Sequence, residues 1–316
     1  MAGSVVAIAS SAARGSFARP RPDYLGAAKR AFTQFRRHEL TDVAAALTYY
    51  AMMSLFPAIV LATSLFSLIG DRKTVSNAVD YVARHGADQA TQDAIRAVME
   101  KIVAASGGAI GVALVVSILI ALNGASGAFG ASGRALNRIY AVEDDRGFVD
   151  KKLTDIGVTL ALVVLLLVVI AALFLGGGYT EDLFGSIGLG HTAAVIWSVV
   201  RWPLALGGML VAYALIYAFA PDIEPRRIHW ITPGAVTGVG VWIVASIAFG
   251  IYIKNFSSYG AAYGAAGAVI VLLLWLWLSS CAFLFGAELN AELDRAEAAG
   301  RGGPPPPVVA VDEPVA

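Results

Sequence analysis

The sequence predicts an all-α polytopic membrane protein with six transmembrane helices, both termini cytoplasmic and a short helical outer loop. Three observations lead there. Val43–Gly70, Ile102–Gly133, Ile156–Thr180, Trp202–Pro221, Ile228–Ile253 and Asn255–Ala287 are six stretches without a charged residue. Each reaches the roughly 20 residues that a helix needs to cross a bilayer. Charged residues make up 15% of the chain and hydrophobic ones 58%, whereas a soluble domain carries about 25% charged residues. The basic residues also divide unevenly. The arm before Asp42 and the segments after the second, fourth and sixth spans hold sixteen Lys and Arg, the opposite side six. Lys and Arg accumulate in cytoplasmic loops, so both termini are expected on the cytoplasmic side.

Residues 1–40 form an N-terminal arm, disordered as far as about residue 25. Met1–Ala13 has neither the basic start nor the apolar stretch of a signal peptide. An amphipathic helix is expected over Tyr24–Leu40, with Leu25, Ala28, Phe32 and Phe35 as its apolar stripe and Lys29, Arg30, Arg36 and Arg37 elsewhere. Residues 41–294 form the membrane domain, with spans at about 43–70, 107–133, 156–178, 202–220, 231–253 and 264–287.

In the first span Pro57 removes the helical donor of the Met53 carbonyl and should kink the helix. That carbonyl needs another partner inside a membrane. The amide of Asn123 on the second span, or the hydroxyl of Ser54, can supply one. Otherwise Asn123 joins helices and nothing more, or lines a polar cavity with the kink. Asp71–Ser106 reads as two short amphipathic helices over the outer ends of the spans. Gly124, Gly127, Gly130 and Gly133 of the second span, Gly234 and Gly238 of the fifth and Gly260, Gly264 and Gly267 of the sixth allow close helix approach.

Leu183–Val200 carries Gly185, Gly188 and Gly190, which disfavour a free-standing helix. It is read as an outer loop with a short interfacial helix, so the fourth span begins near Trp202 or Pro203, where proline suits a first turn. Arg201 beside Trp202 serves as an interfacial anchor. Trp275 and Trp277 either pack inward or face lipid. Residues 295–316 make a Pro-rich disordered tail. Cys281 is the only cysteine, which excludes an internal disulfide and a Cys-rich metal site. YYAMMSLFP (49–57) and YALIYAFAP (213–221) share a Tyr eight residues before a Pro, a match short enough to arise by chance.

Polar groups gather at the expected cytoplasmic ends: Asp42, Asn137, Arg138, Glu288, Asn290 and Glu292. Interfacial ionisable groups generally face the bundle and pair. Arg138 is therefore expected to pair with Asp42 or Glu288, in a role that holds structure before it does chemistry.

ALTYYAMMSLFP (46–57), SGRALNRIYAVEDDRG (132–147), YGAAYGAAGAVIVLLLWLWLSS (259–280) and GAELNAEL (286–293) together resemble the YihY/BrkB family. The resemblance runs from about Phe32 to Asp294. It implies a six-span bacterial inner-membrane protein, from a family whose members have carried the labels virulence factor and ribonuclease. The matching positions are Tyr49, Tyr50, Pro57, Asn137, Arg138, Tyr259, Gly260, Gly286, Glu288, Leu289 and Asn290. With Asp42, Ser54, Asn123 and Tyr263, the polar ones among them are the candidate transport or structural positions.

The ribonuclease label fits the residues poorly. Hydrolysis of RNA calls for metal-binding carboxylates or histidines, or an acid–base pair. His38, His85, His191 and His229 are scattered, and Asp144–Asp145 is a lone acidic pair in a basic loop. A phosphate-cradling GxxxxGK[ST] loop is also missing from the sequence. The expectation is a protein without catalytic, cofactor or metal residues. It would transport, or help to transport, a lipid or amphipathic solute in envelope maintenance. The alternative is a non-transporting scaffold of an envelope complex. A membrane enzyme using Asp144, Glu288 or His229 is the third reading. Membrane lipids are the expected partners, with envelope proteins and a homo-oligomer also admitted and nucleic acid excluded.

Overall fold

A computed structural model describes residues 23–69, 110–174, 190–223, 231–255 and 258–300, with scattered positions between 79 and 100. The described residues form helices α1 (Tyr24–Arg37), α2 (Leu40–Ile69), α3 (Ile110–Tyr140), α4 (Phe148–Phe174), α5 (Gly190–Phe219), α6 (Pro233–Asn255) and α7 (Ser258–Gly300). The expected outer helices over 71–106 fall largely outside the described residues, as do the first 22 residues and the tail beyond Gly300.

α1 begins where Asp23 accepts the Gly26 amide at 2.9 Å, which satisfies a donor left free at a helix start. Its inner face keeps Ala28 and Phe35 of the expected stripe, both packed against buried clusters, and differs in the rest. Ala27 and Ala31 are fully buried against Leu289 of α7, while Leu25 and Phe32 are 80% and 58% exposed. Small side chains let the first half of α1 lie close on α7, and Phe35 further on packs edge to face on Phe285. Glu39, at φ 52°, then turns the chain into α2.

α2 stays helical through Pro57. The Ser54 hydroxyl donates to Ala51 O at 2.8 Å, so it does not serve the Met53 carbonyl. Asn123 is exposed and accepts from Lys152 of α4 instead of reaching α2. α3 continues to Tyr140, seven residues past its expected end, about 10 Å further at 1.5 Å per residue.

Two boundaries differ because charge and glycine were weighted too heavily. α4 starts at Phe148 and so takes in Lys151, Lys152 and Asp155, which the expected start near Ile156 left outside. α5 starts at Gly190 and carries Pro203 in its interior. The stretch 190–200, read as part of an outer loop, is therefore the first third of a long helix. Val195, Ile196 and Val199 on it are 51%, 58% and 65% exposed. In hydrocarbon such a segment must satisfy its own backbone, and that requirement outweighs weak helix propensity.

α6 begins with Pro233 in its first turn, and Thr232 accepts the Ala235 amide at 3.0 Å as its cap. α7, at 43 residues, is the longest helix and packs on α1, α2, α3 and α6. α2 lies along α3, and α4 along α5. At the crossing of α6 and α7 a side chain on Gly234 would strike the backbone oxygen of Gly286. The expected GxxxG approach is thus present, and Gly286 opposite is equally required.

The core joins Leu40, Ala44 and Leu47 of α2, Phe129, Leu136 and Ile139 of α3, Tyr213 and Tyr217 of α5, and Leu284 and Ala287 of α7. Large apolar side chains also coat the outside, including Val164 and Leu167 of α4 and Val244 and Ile247 of α6. An apolar exterior of this kind suits lipid as solvent. Within α4 to α7, Phe148–Ile170, Val195–Phe219, Pro233–Lys254 and Gly267–Gly300 are four segments long and apolar enough to cross a membrane.

Candidate functional site

Glu288, Glu292 and Arg295 recur at helical spacing near the end of α7 and share one face. Glu288 is fully buried and Glu292 is 5% exposed. Arg295 donates to Glu288 at 3.2 Å and to Glu292 at 2.6 Å, and also to Ile139 O at the end of α3. A cation suits the negative end of that helix. Arg30 of α1 donates to the second oxygen of Glu292 at 3.2 Å. His38, buried just after α1, places Nδ1 3.1 Å from Glu288. His38 Nε2 is buried with no described partner.

Two guanidiniums and an imidazole thus surround two carboxylates, joining α1, α3 and α7. Asn290, elsewhere on α7, holds the start of α6. Its oxygen accepts the Gly234 amide at 2.8 Å and its nitrogen donates to Thr232 at 2.9 Å. The Tyr217 hydroxyl of α5 donates to Phe283 O at 2.7 Å. One face of α7 therefore carries ion pairs, and others bind neighbouring helices through neutral hydrogen bonds.

A second polar group closes α5. Arg146 donates to Ala220 O at 3.0 Å and to Phe219 O at 3.4 Å, and pairs with Asp144 at 2.9 Å and Asp222 at 3.5 Å. Asn137 accepts the Asp222 amide at 2.8 Å, and Asp222 accepts the Asp145 amide at 3.0 Å. Hydrogen bonds from Arg146 first, then Lys151, hold the Asp144 carboxyl well below the usual carboxylate range. The Asp144 bond in turn pushes Arg146 up. The lone acidic pair of the sequence is therefore a loop clamp on a helix end.

The expected pairing of Arg138 with Asp42 or Glu288 does not form. Arg138 approaches Glu39 at 4.0 Å on the surface, and Asp42, exposed, accepts only a 3.4 Å hydroxyl bond from Thr41 among the described contacts. Arg138 sits on the outer face of α3, whereas Asn137 beside it turns inward. Tyr49 and Tyr50 meet edge to face at 5.6 Å, and Arg134 lies 5.6 Å from the Tyr50 ring centre. Trp277 donates to Thr41 O at 3.1 Å, and Trp275 packs edge to face on Trp242. Arg201 lies against the Trp202 ring and donates to Leu173 O at the end of α4. Pro57, Tyr259 and Tyr263 lie on helices, and their side chains are outside the described set.

Reading the sequence missed His38, Arg30 and Arg295 as members of one site. The spacing of Glu288, Glu292 and Arg295 was the available signal. His38, about 250 residues away, carried none. Lys152 and Asp155 were missed because the third span was measured only from where charges stop.

Two shallow apolar grooves mark the exterior. One, of about 500 Å³, lies between Leu160, Val164 and Val168 of α4 and Val211 and Leu215 of α5. The other, of about 480 Å³, runs along α6 from Thr237 to Ala248. Among the described residues no three His, Cys, Asp or Glu side chains gather as metal ligands.

The family model described as virulence factor BrkB matches residues 31–309. Relatives include a putative ribonuclease-like protein of Bacillus subtilis, 28% identical over 84% of this chain and 94% of that protein. A membrane protein of the UPF0761 group from Rhodospirillum centenum is 26% identical over 86% of this chain and 58% of its own length. Another UPF0761 membrane protein, from Aeromonas salmonicida, is 25% identical over 84% and 88%. No solved structure matches. The four apolar helices and these relatives make this a multi-pass bacterial membrane protein. With its membrane domain matched almost end to end, the chain belongs to the BrkB virulence-factor family.

Proposed function

We propose that this protein moves, or helps to move, a lipid or amphipathic solute across the inner membrane in envelope maintenance. In this reading the chain crosses six times, both termini are cytoplasmic, and the His38–Glu288–Arg295–Glu292–Arg30 network is the cytoplasmic closure. The observation that carries the reading is Glu288, fully buried yet bonded to groups from α7 and the α1–α2 turn. Buried ion pairs stabilise poorly, because desolvation offsets their attraction. What they provide is a joint with two states, closed when paired and open when the partners meet water. The apolar groove between α4 and α5 is a surface along which acyl chains can lie.

An enzymatic role is not part of this proposal. Asp144 already accepts from Arg146 and Lys151, which leaves it a poor base. The competing scaffold reading draws on the tight Gly234–Gly286 crossing, where a side chain at either glycine would strike backbone.

Purified protein in liposomes containing fluorescent phospholipids tests the choice. Transport predicts loss of inner-leaflet fluorescence to an external quencher above the protein-free rate, or release of an entrapped amphipathic solute. Neither signal, with and without added envelope extract, would leave the scaffold reading standing.

A further inference from the structure

Asp155, on the second turn of α4, is 9% exposed, and no described residue hydrogen-bonds to it or pairs with it. One turn further, Thr159 is 3% exposed and its hydroxyl has no partner among the described residues. The two lie four apart and so share a helix face. That face meets α3: one Asp155 oxygen lies 3.0 Å from where a side chain on Gly130 would begin. Three residues earlier on α3, a side chain on Gly127 would meet nothing within 4 Å, so the surface of α3 is open there. Lys152, three residues before Asp155, is the natural partner on the same helix. Its ammonium instead turns to α3, 3.0 Å from Ser126 Oγ and 3.4 Å from Asn123 Oδ1.

We infer that Asp155 and Thr159 form a binding site for a small monovalent cation, H⁺ or Na⁺, with Lys152 as the tethered cation that competes for it. A carboxylate within a helix bundle attracts a cation when no side chain answers it, and ionisable groups within membrane helices commonly mark ion pathways. The carboxylate and the hydroxyl lie on one face of α4, and the missing side chain of Gly130 on α3 makes room for the carboxylate. When the site empties, Lys152 can leave Ser126 and Asn123 and neutralise Asp155. Loading and unloading then move one side chain between α3 and α4. The other charges acting on Asp155 are Lys151 of α4 and Arg146 and Asp144 of the preceding loop. Arg134 of α3 lies near Gly130 as well. The site would couple an ion gradient to the transport proposed above; it rests on that reading for its purpose, not for its test.

The test is carbodiimide labelling of the full-length protein in detergent, located by mass spectrometry. This reagent traps protonated carboxyls in apolar surroundings, so no transport activity is needed. The expected result is label at Asp155 that falls about tenfold per pH unit once the carboxyl titrates. Loss of label on adding Na⁺ at fixed pH and ionic strength identifies sodium; indifference to Na⁺ identifies the proton. Lys152→Gln should carry the labelling to higher pH. Failure to label Asp155 at any pH in protein that stays monodisperse overturns the site, even if lipid flux is measured. Label that ignores both pH and Na⁺ overturns it equally. The wild-type experiment decides alone should Lys152→Gln not fold.

Discussion

Two sets of buried charges sit on neighbouring parts of this bundle and are built differently. Glu288 on α7 is wholly enclosed and answered by His38 and Arg295, while Glu292 beside it is answered by Arg30 and Arg295. Asp155 on α4 is 9% exposed and answered by nothing described, while Lys152, three residues earlier, turns to Ser126. The first arrangement holds three helices in one position. The second keeps a carboxylate available. Satisfied charge specifies shape, and unsatisfied charge in the same bundle points to chemistry.

The contrast makes opposite demands on substitution. The largest effect is expected at Glu288. Glu288→Ala leaves His38 Nδ1 without its partner and removes one of the three acceptors of Arg295, and breaking one side of a buried pair costs about 3–5 kcal/mol. Thermal unfolding in detergent should show it as a lowered midpoint or as failure to remain monodisperse. Gly286→Ala comes next, because the new methyl meets Gly234 O and the Tyr217 hydroxyl. Overpacking of this kind costs about 1–3 kcal/mol by the same measurement. Asn290→Ala frees the Gly234 amide and the Thr232 hydroxyl at the head of α6, a loss of about 1–2 kcal/mol.

The Asp144 clamp gives a pH-dependent comparison with both. Its carboxyl titrates below the usual range in the folded protein, so the unfolded chain binds the proton first. The stabilisation is therefore complete above about pH 4 and fades as pH falls toward the folded value. Asp144→Asn should flatten the acid side of a stability-against-pH curve and leave its slope near neutrality unchanged. Arg138→Ala should have the smallest effect. Its 4.0 Å approach to Glu39 is solvent-exposed, and such pairs contribute about 0–1 kcal/mol. A large loss there would mean that Arg138 has a partner in the membrane assembly.

Much of the architecture was legible because hydrocarbon imposes a length on every crossing helix. The fifth span, expected at about 231–253 and observed as Pro233–Asn255, and the close approach at Gly234 follow from patterns that sequence displays directly. The start of α4 was not legible: a first turn holding Asp150, with Lys151 and Lys152 just behind it, looks like a loop until its neighbours are known. α5 was obscured by Gly190 and Pro203, whose propensities describe water better than lipid. Of the site, Glu288 and Asn290 were found because they close an apolar run, and Asn137 because it follows one. Arg138, next to Asn137, looked equally promising, and only the rotation of α3 sends one inward and the other out. His38 had no local signature, since its place depends on how α1 folds back along α7.

The most direct measurement asks whether α1 must part from α7 for transport. Ala27 and Leu289 pack together at their contact, so Ala27→Cys and Leu289→Cys in a Cys281→Ser background place one disulfide across it. Lipid flux in liposomes should stop on oxidation and return on reduction. Equal flux in the locked and released protein would contradict a closure at this end of the bundle.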